Sequence, residues 1–173
     1  MVDIMDKLQN IKEMGKSTKE KQQFTNVAEV FSVWDIMVAK LDMLESIQIL
    51  ENFVDDVDLR YISGKVVDAL QIGIADMEQI MNNYGVPFPV RPPAGISTTV
   101  RLEHMTDKQI YQVLFETIQS FFPMLAEGYM QGSTPKVIKV IKNHLLLTME
   151  LHELLIEYGK LKGYFNLPPL YNT

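Results

Sequence analysis

Apolar residues recur at spacings of three and four along four separate stretches of this chain, and each stretch predicts a long amphipathic helix. In the first, Val27, Val30, Trp34, Met37, Leu41, Leu44, Ile47 and Leu50 make one stripe. It opens near Thr25 or Asn26, both suited to cap a helix N-terminus. The run Asp55-Asp56-Val57-Asp58 ends that helix and supplies the cap of the next. The second stripe holds Ile62, Val66, Ala69, Leu70, Gly73, Ile74, Met77, Ile80, Met81 and Tyr84, wide enough to meet two neighbours. Gly73 interrupts large residues there, which predicts a close approach by a neighbouring helix. Gly85 then suits a left-handed C-cap.

The third stretch opens at Thr106-Asp107-Lys108-Gln109, the spacing of a capping box, and carries Ile110, Leu114, Ile118, Phe121, Leu125 and Tyr129 on one face. Pro123 inside it predicts a kink, because proline removes one backbone bond and crowds the preceding turn. Gly132-Ser133-Thr134-Pro135 reads as a C-cap glycine, an N-cap hydroxyl from Ser133, and a proline at the first helical position. The fourth helix runs to about Gly163 with Ile138, Ile141, Leu145, Thr148, His152, Leu155 and Gly159 inward. Ahead of all four, Met5, Leu8 and Ile11 sit three apart in a short accessory helix, followed by a polar linker, 15–21, expected to be mobile. The division is therefore 1–22, accessory helix and linker, and 23–173, the helical domain. No strand pattern competes; residues 96–102 read as extended but too short to organise a sheet.

Connection lengths set the expected topology. Short links make antiparallel hairpins of helices one and two and of helices three and four. Between the hairpins lie roughly 20 residues, Val86 to Met105, which in polyproline form reach about 60 Å. A helix of about 26 residues is only about 39 Å long. The segment can cross the whole body and leave helices two and three parallel. The expected fold is all-α: a ferritin-like four-helix bundle with a long proline-rich crossover, the alternative being an up-down-up-down bundle.

Composition narrows the function classes. The chain has 173 residues, a net charge of −6 and no cysteine. The charge argues against a nucleic-acid backbone binder. The lack of cysteine removes disulfides, thiolate metal sites and a cysteine nucleophile. No run of eighteen apolar residues suggests a membrane span, and no secretory leader is evident, so the expected location is cytoplasmic.

The helix with Trp34 and Lys40, the acidic turn, and above all Asn83-Tyr84-Gly85-Val86-Pro87-Phe88-Pro89-Val90-Arg91-Pro92-Pro93 resemble an uncharacterised ferritin-like family of spore-forming bacteria. Its members are often labelled "putative spore coat proteins". The resemblance covers about Asn26 to Gly163 and implies the fold; it implies little about activity.

A dinuclear metal centre in such a bundle needs inward carboxylates from two helices and Glu-x-x-His pairs from the other two. The chain has no Glu-x-x-His. A non-standard set can be drawn from Asp35, Asp42, Asp76, His144 and His152, each of which also reads as a solvated flank or a hydrogen-bonded core residue. His104 falls in the crossover. Ser97, Ser120 and Ser133 lack a nucleophile-elbow setting. Gly132 to Lys136 offers amides to an anion, although simple helix capping accounts for it. Pro89-Val90-Arg91-Pro92 satisfies Pro-x-x-Pro, with a stiff crossover as its structural reading and Phe88 and Arg91 as contact residues. Phe122 and Met124, flanking the kinked helix, are the expected oligomer contacts. The resulting expectation is a non-catalytic structural or interaction protein without a cofactor, spore-associated and homodimeric. A metal-binding or oxidoreductase bundle is the alternative, and a small-ligand carrier with a pocket near Pro123 is a third.

Overall fold

The computed structural model describes residues 2–91 and 105–167, and every regular element among them is a helix: α1 (Val2–Glu13), α2 (Thr18–Gln22), α3 (Val27–Glu51), α4 (Val57–Tyr84), α5 (Asp107–Gln131) and α6 (Pro135–Lys162). Pro92, Ser97, His104 and most of the crossover lie outside the described residues.

Local chemistry fixes the helix ends. Asn26 caps α3 by accepting from the Glu29 amide at 2.8 Å, and Asp56 caps α4 by accepting from the Asp58 and Leu59 amides. Thr106 and Gln109 make the capping box of α5. Gly85, with φ of 64°, closes α4 in the left-handed conformation that favours glycine. α5 continues as helix through Pro123, which is exposed.

The order of packing follows from contacts at the two ends of the body. Ser63 Oγ donates to Glu51 Oε1 beside the α3–α4 turn, as an antiparallel hairpin requires. Asn26 Nδ2 donates to the Gln131 carbonyl at 3.1 Å, joining the start of α3 to the end of α5. At the opposite end the Asp107 carboxylate accepts from the amides of Asp55 and Asp56 at 3.0 and 3.1 Å. α5 thus starts where α4 starts, and the two run in the same direction. Gly85 and Thr106 stand at opposite ends, so the connection between them spans the length of the body. α3 packs on α4 and α5, and α6 packs on α5 and α4.

All ten residues of the expected α4 stripe are buried. α3 differs. Its core residues are Val33, Ile36, Met37, Lys40, Leu41, Met43 and Ile47, while Val27 and Trp34 face out at 86% and 38% exposure. The physical reason is that α3 is apolar on two sides. Val27, Phe31, Trp34 and Val38 form one stripe, Val33, Ile36, Met37, Lys40 and Ile47 the other, and periodicity alone does not say which meets the core. On α5 the stripe holds except at Tyr129, which lies exposed at the helix end. On α6 the expected Ile141, Thr148, Leu155 and Gly159 are buried, but they are joined in the core by Val137, His144, Leu151 and Tyr158, while the expected Ile138, Leu145 and His152, one position over from these, are half-buried.

The accessory region is more ordered than its polarity suggests. Ser17 and Glu20 form a capping box that starts α2 inside the expected linker, and Gln22 Nε2 reaches the Gly85 carbonyl at 3.5 Å. On α1, Leu8 and Ile11 are exposed, whereas Gln9 and Glu13 are buried; the Met5 side chain lies outside the described residues. Among the described side chains of α1, hydrogen bonding rather than apolar burial anchors this helix.

Candidate functional site

Midway along the body, Lys40 of α3 points inward and is 5% exposed. A lysine fits because α4 presents Gly73 opposite it: a Cβ there would stand 2.7 Å from Lys40 Nζ. The expected close approach at Gly73 is therefore made by a side chain. The ammonium lies over the Phe121 ring of α5, 5.2 Å from its centroid. Burial pulls the Lys40 pKa down to about 8, with the Asp76 carboxylate acting in the opposite sense.

One turn beyond Gly73, Asp76 Oδ2 accepts from His144 Nε2 of α6 at 3.1 Å. His144 is 4% exposed and Asp76 is 42% exposed, so the pair runs from the core to the surface. Burial, then the nearby Lys40 charge, depress the His144 pKa to about 4 against the pull of Asp76. The imidazole is neutral at physiological pH, with the proton on Nε2 facing the carboxylate. Lys40, Phe121, His144 and Thr148 share a cavity of about 20 Å³.

Of the five metal candidates, the structure joins only Asp76 and His144. Asp35 is half-buried, and Asp42 is exposed on the groove between α3 and α5. His152 lies on the α5–α6 seam, stacked on Phe115 at 5.0 Å, edge-on to Phe122 at 5.3 Å, and 3.3 Å from Gln119 Nε2. Among the described residues no three His, Cys, Asp or Glu side chains are grouped to hold a metal. Lys40 was missed as a site residue, although its signal is present: a cation at core spacing inside Ile36-Met37-Val38-Ala39-Lys40-Leu41, opposite a lone glycine.

A second polar site closes the end where α3 begins. Glu29, fully buried, accepts from Ser133 N (3.2 Å), Ser133 Oγ (3.0 Å), Thr134 N (2.8 Å) and Thr134 Oγ1 (2.9 Å). The segment read as offering amides to an anion does bind one, and the anion is the protein's own. Ser133 is accordingly not the N-cap: Thr134 is, and its hydroxyl serves Glu29 instead of α6. Nearby, Tyr84 OH donates to Glu13 Oε1 at 2.8 Å, Gln9 Nε2 donates to both, and Lys136 Nζ pairs with Glu13 Oε2 at 2.8 Å. Burial works against the Glu13 charge, but hydrogen bonds from Lys136, Tyr84 and Gln9 prevail and hold its pKa below the usual value. Burial and the same carboxylate push the Tyr84 hydroxyl far up.

The crossover residues that are described follow α4 back. Val86 is buried, Arg91 pairs with Glu78, Phe88 is 47% exposed and Val90 95% exposed. Met124 lies on a surface groove of about 270 Å³ between α3 and α5, shared with Ala39, Leu50, Val113 and Phe121. Phe122 turns toward His152.

The fold and site define an all-helical body of four long helices with a polar centre of Lys40, Asp76 and His144. A solved structure described as a putative spore coat protein (BH2358) from Bacillus halodurans C-125 has this fold. It matches with a TM-score of 0.80 over 86% of this chain and 96% of that one, at 18% identity. The resemblance read from the loop and helices thus has a structural counterpart of the same description; at that identity it is the fold that is shared. No family model and no curated protein matches the chain. No helix among the described residues is long and apolar enough to cross a membrane.

Proposed function

We propose that this chain is a non-catalytic structural or interaction protein built on a ferritin-like four-helix bundle, cytoplasmic in origin and associated with spores, that works as a homo-oligomer. Two hairpins joined by a body-length connection, with α4 and α5 parallel, support the ferritin-like reading. The structural neighbour's description supports the spore association. The observation that carries the interaction role is the outer face of α3. Val27, Phe31 and Trp34 are 86%, 60% and 38% exposed, and half-buried Val38 continues them. Their spacing of four, three and four is that of a helix–helix seam, suited to α3 of a second copy.

Light scattering on the purified chain tests this, with Phe31→Glu and Trp34→Lys as variants. A dimer that the variants convert to a folded monomer supports the proposal. A wild-type monomer at high micromolar concentration refutes the self-association. Immunoblotting of coat extracts from the source organism tests the location separately.

The Asp76–His144 pair keeps a second reading open, a metal-binding bundle with a non-standard ligand set. The Lys40 charge beside the pair opposes a cation there, and a carboxylate–imidazole hydrogen bond accounts for the geometry. Elemental analysis of protein purified without a histidine tag separates the two readings: a stoichiometric metal lost in His144→Leu selects the second.

A further inference from the structure

The small cavity at the centre of the body is lined mainly by apolar side chains such as Val66, Leu70, Ile118 and Leu151, and three polar residues reach it, Lys40, His144 and Thr148, whose hydrogen-bonding capacity protein atoms leave incompletely used. His144 Nε2 gives its proton to Asp76, so in the neutral ring Nδ1 carries a lone pair; that nitrogen is buried and accepts no hydrogen bond among the described residues. Lys40 Nζ has three protons to offer, and the contact it makes is with the face of Phe121. Thr148 Oγ1, also on the cavity wall, donates to the His144 carbonyl and keeps lone pairs free. A volume of about 20 Å³ exceeds the roughly 10–15 Å³ that one water requires, and two to four polar partners are what such a water needs.

We propose that one structural water is bound here, accepting from Lys40 Nζ and donating to His144 Nδ1 and Thr148 Oγ1. The water completes a polar chain from Lys40 on α3, through His144 on α6, to Asp76 on α4 at the surface. No other ionisable side chain enters the chain from α5, whose contribution is the Phe121 ring. Three of the four long helices are then tied by hydrogen bonds at mid-length, in a section that is otherwise apolar. The link fixes their relative register more sharply than aliphatic packing does, since its geometry tolerates little sliding.

The wild-type protein itself provides the test, by imidazole nitrogen NMR and high-resolution diffraction. The expected result is the Nε2–H tautomer of His144, cross-relaxation between its ring and a slowly exchanging water, and one density peak within hydrogen-bond reach of Lys40 Nζ and His144 Nδ1. In Lys40→Met an apolar thioether one atom shorter replaces the ammonium donor, and the water signal should vanish while the tautomer persists. An Nδ1–H tautomer, a direct Lys40–His144 bond, or a dry cavity in the wild type overturns the proposal.

Discussion

Gly73 on α4 and Lys40 on α3 share one space: a Cβ on the glycine would stand 2.7 Å from the lysine Nζ and 2.9 Å from its Cε. Any larger residue at 73 must displace a buried cation from its place over Phe121. Gly73→Leu should cost about 1–3 kcal/mol by overpacking. In a Lys40→Ala background the obstacle is gone, and Gly73→Ala should then gain about 0.5–1 kcal/mol from helix propensity. A double-mutant cycle by urea denaturation measures both. Equal effects of Gly73→Ala in the two backgrounds would break the link between these residues.

The same burial makes stability depend on pH in two windows. Lys40 titrates at 10.5 unfolded and at about 8 folded, so the unfolded chain binds more protons between those values. Stability should rise with pH through that window; below pH 8 the folded protein carries a penalty on the order of 3 kcal/mol. His144, lowered from 6.5 to about 4, acts likewise: stability is full above 6.5 and falls as pH drops toward 4. Lys40→Met should raise the urea midpoint at pH 7 and flatten the upper slope relative to wild type. His144→Leu should flatten the lower one. Parallel curves for wild type and variant would remove that residue as the source.

How much of this was legible depended on whether a helix offers one reading or two. α4 has a single wide apolar face, and its ten inward residues follow from spacing alone. α3 has two apolar faces, and only the packing partner decides between Val33 and Trp34. α6 carries parallel lines one residue apart, which is why His144 rather than His152 reached the core. The polar sites were hardest to see. Glu29 and Ser133 are 104 positions apart, Gln9 and Tyr84 75 apart, and no local pattern links such partners. The amide-rich turn was recognisable; the carboxylate it holds was not.

Tyr84 should prove to be the latch of α1. Its hydroxyl sits between Gln9 and Glu13 and gives α1 its main buried attachment to α4. Tyr84→Phe keeps the ring in the core and removes that link, at about 1.5–3 kcal/mol for a hydrogen bond to a charged group. The loss should appear chiefly as detachment of α1. Trypsin should cut faster after Lys12 and Lys16, while the melting of the four long helices shifts little. Unchanged cleavage at those lysines would show that Lys136 and apolar contacts hold the helix without the tyrosine.

Glu29 offers a sharper test, because its four donors are of two kinds. Oε1 faces the backbone amides of Ser133 and Thr134, which can only donate; Oε2 faces their hydroxyls, which can rotate and accept instead. Glutamine therefore fits in one orientation, with its carbonyl on the amides and its NH₂ on the reversed hydroxyls. Glu29→Gln should cost only about 1–2 kcal/mol, the difference between charged and neutral hydrogen bonds. Glu29→Ala strands the buried Thr134 amide and opens a cavity where the start of α3 meets the α5–α6 turn, and should cost at least about 3 kcal/mol. In the Gln variant, Thr134→Val should be worse than in wild type, since the hydroxyl it removes is then needed as an acceptor. Denaturant midpoints for the three single variants and the double variant decide the matter. If Glu29→Gln were as damaging as Glu29→Ala, the negative charge itself, and not the count of hydrogen bonds, would be what holds this end of the molecule together.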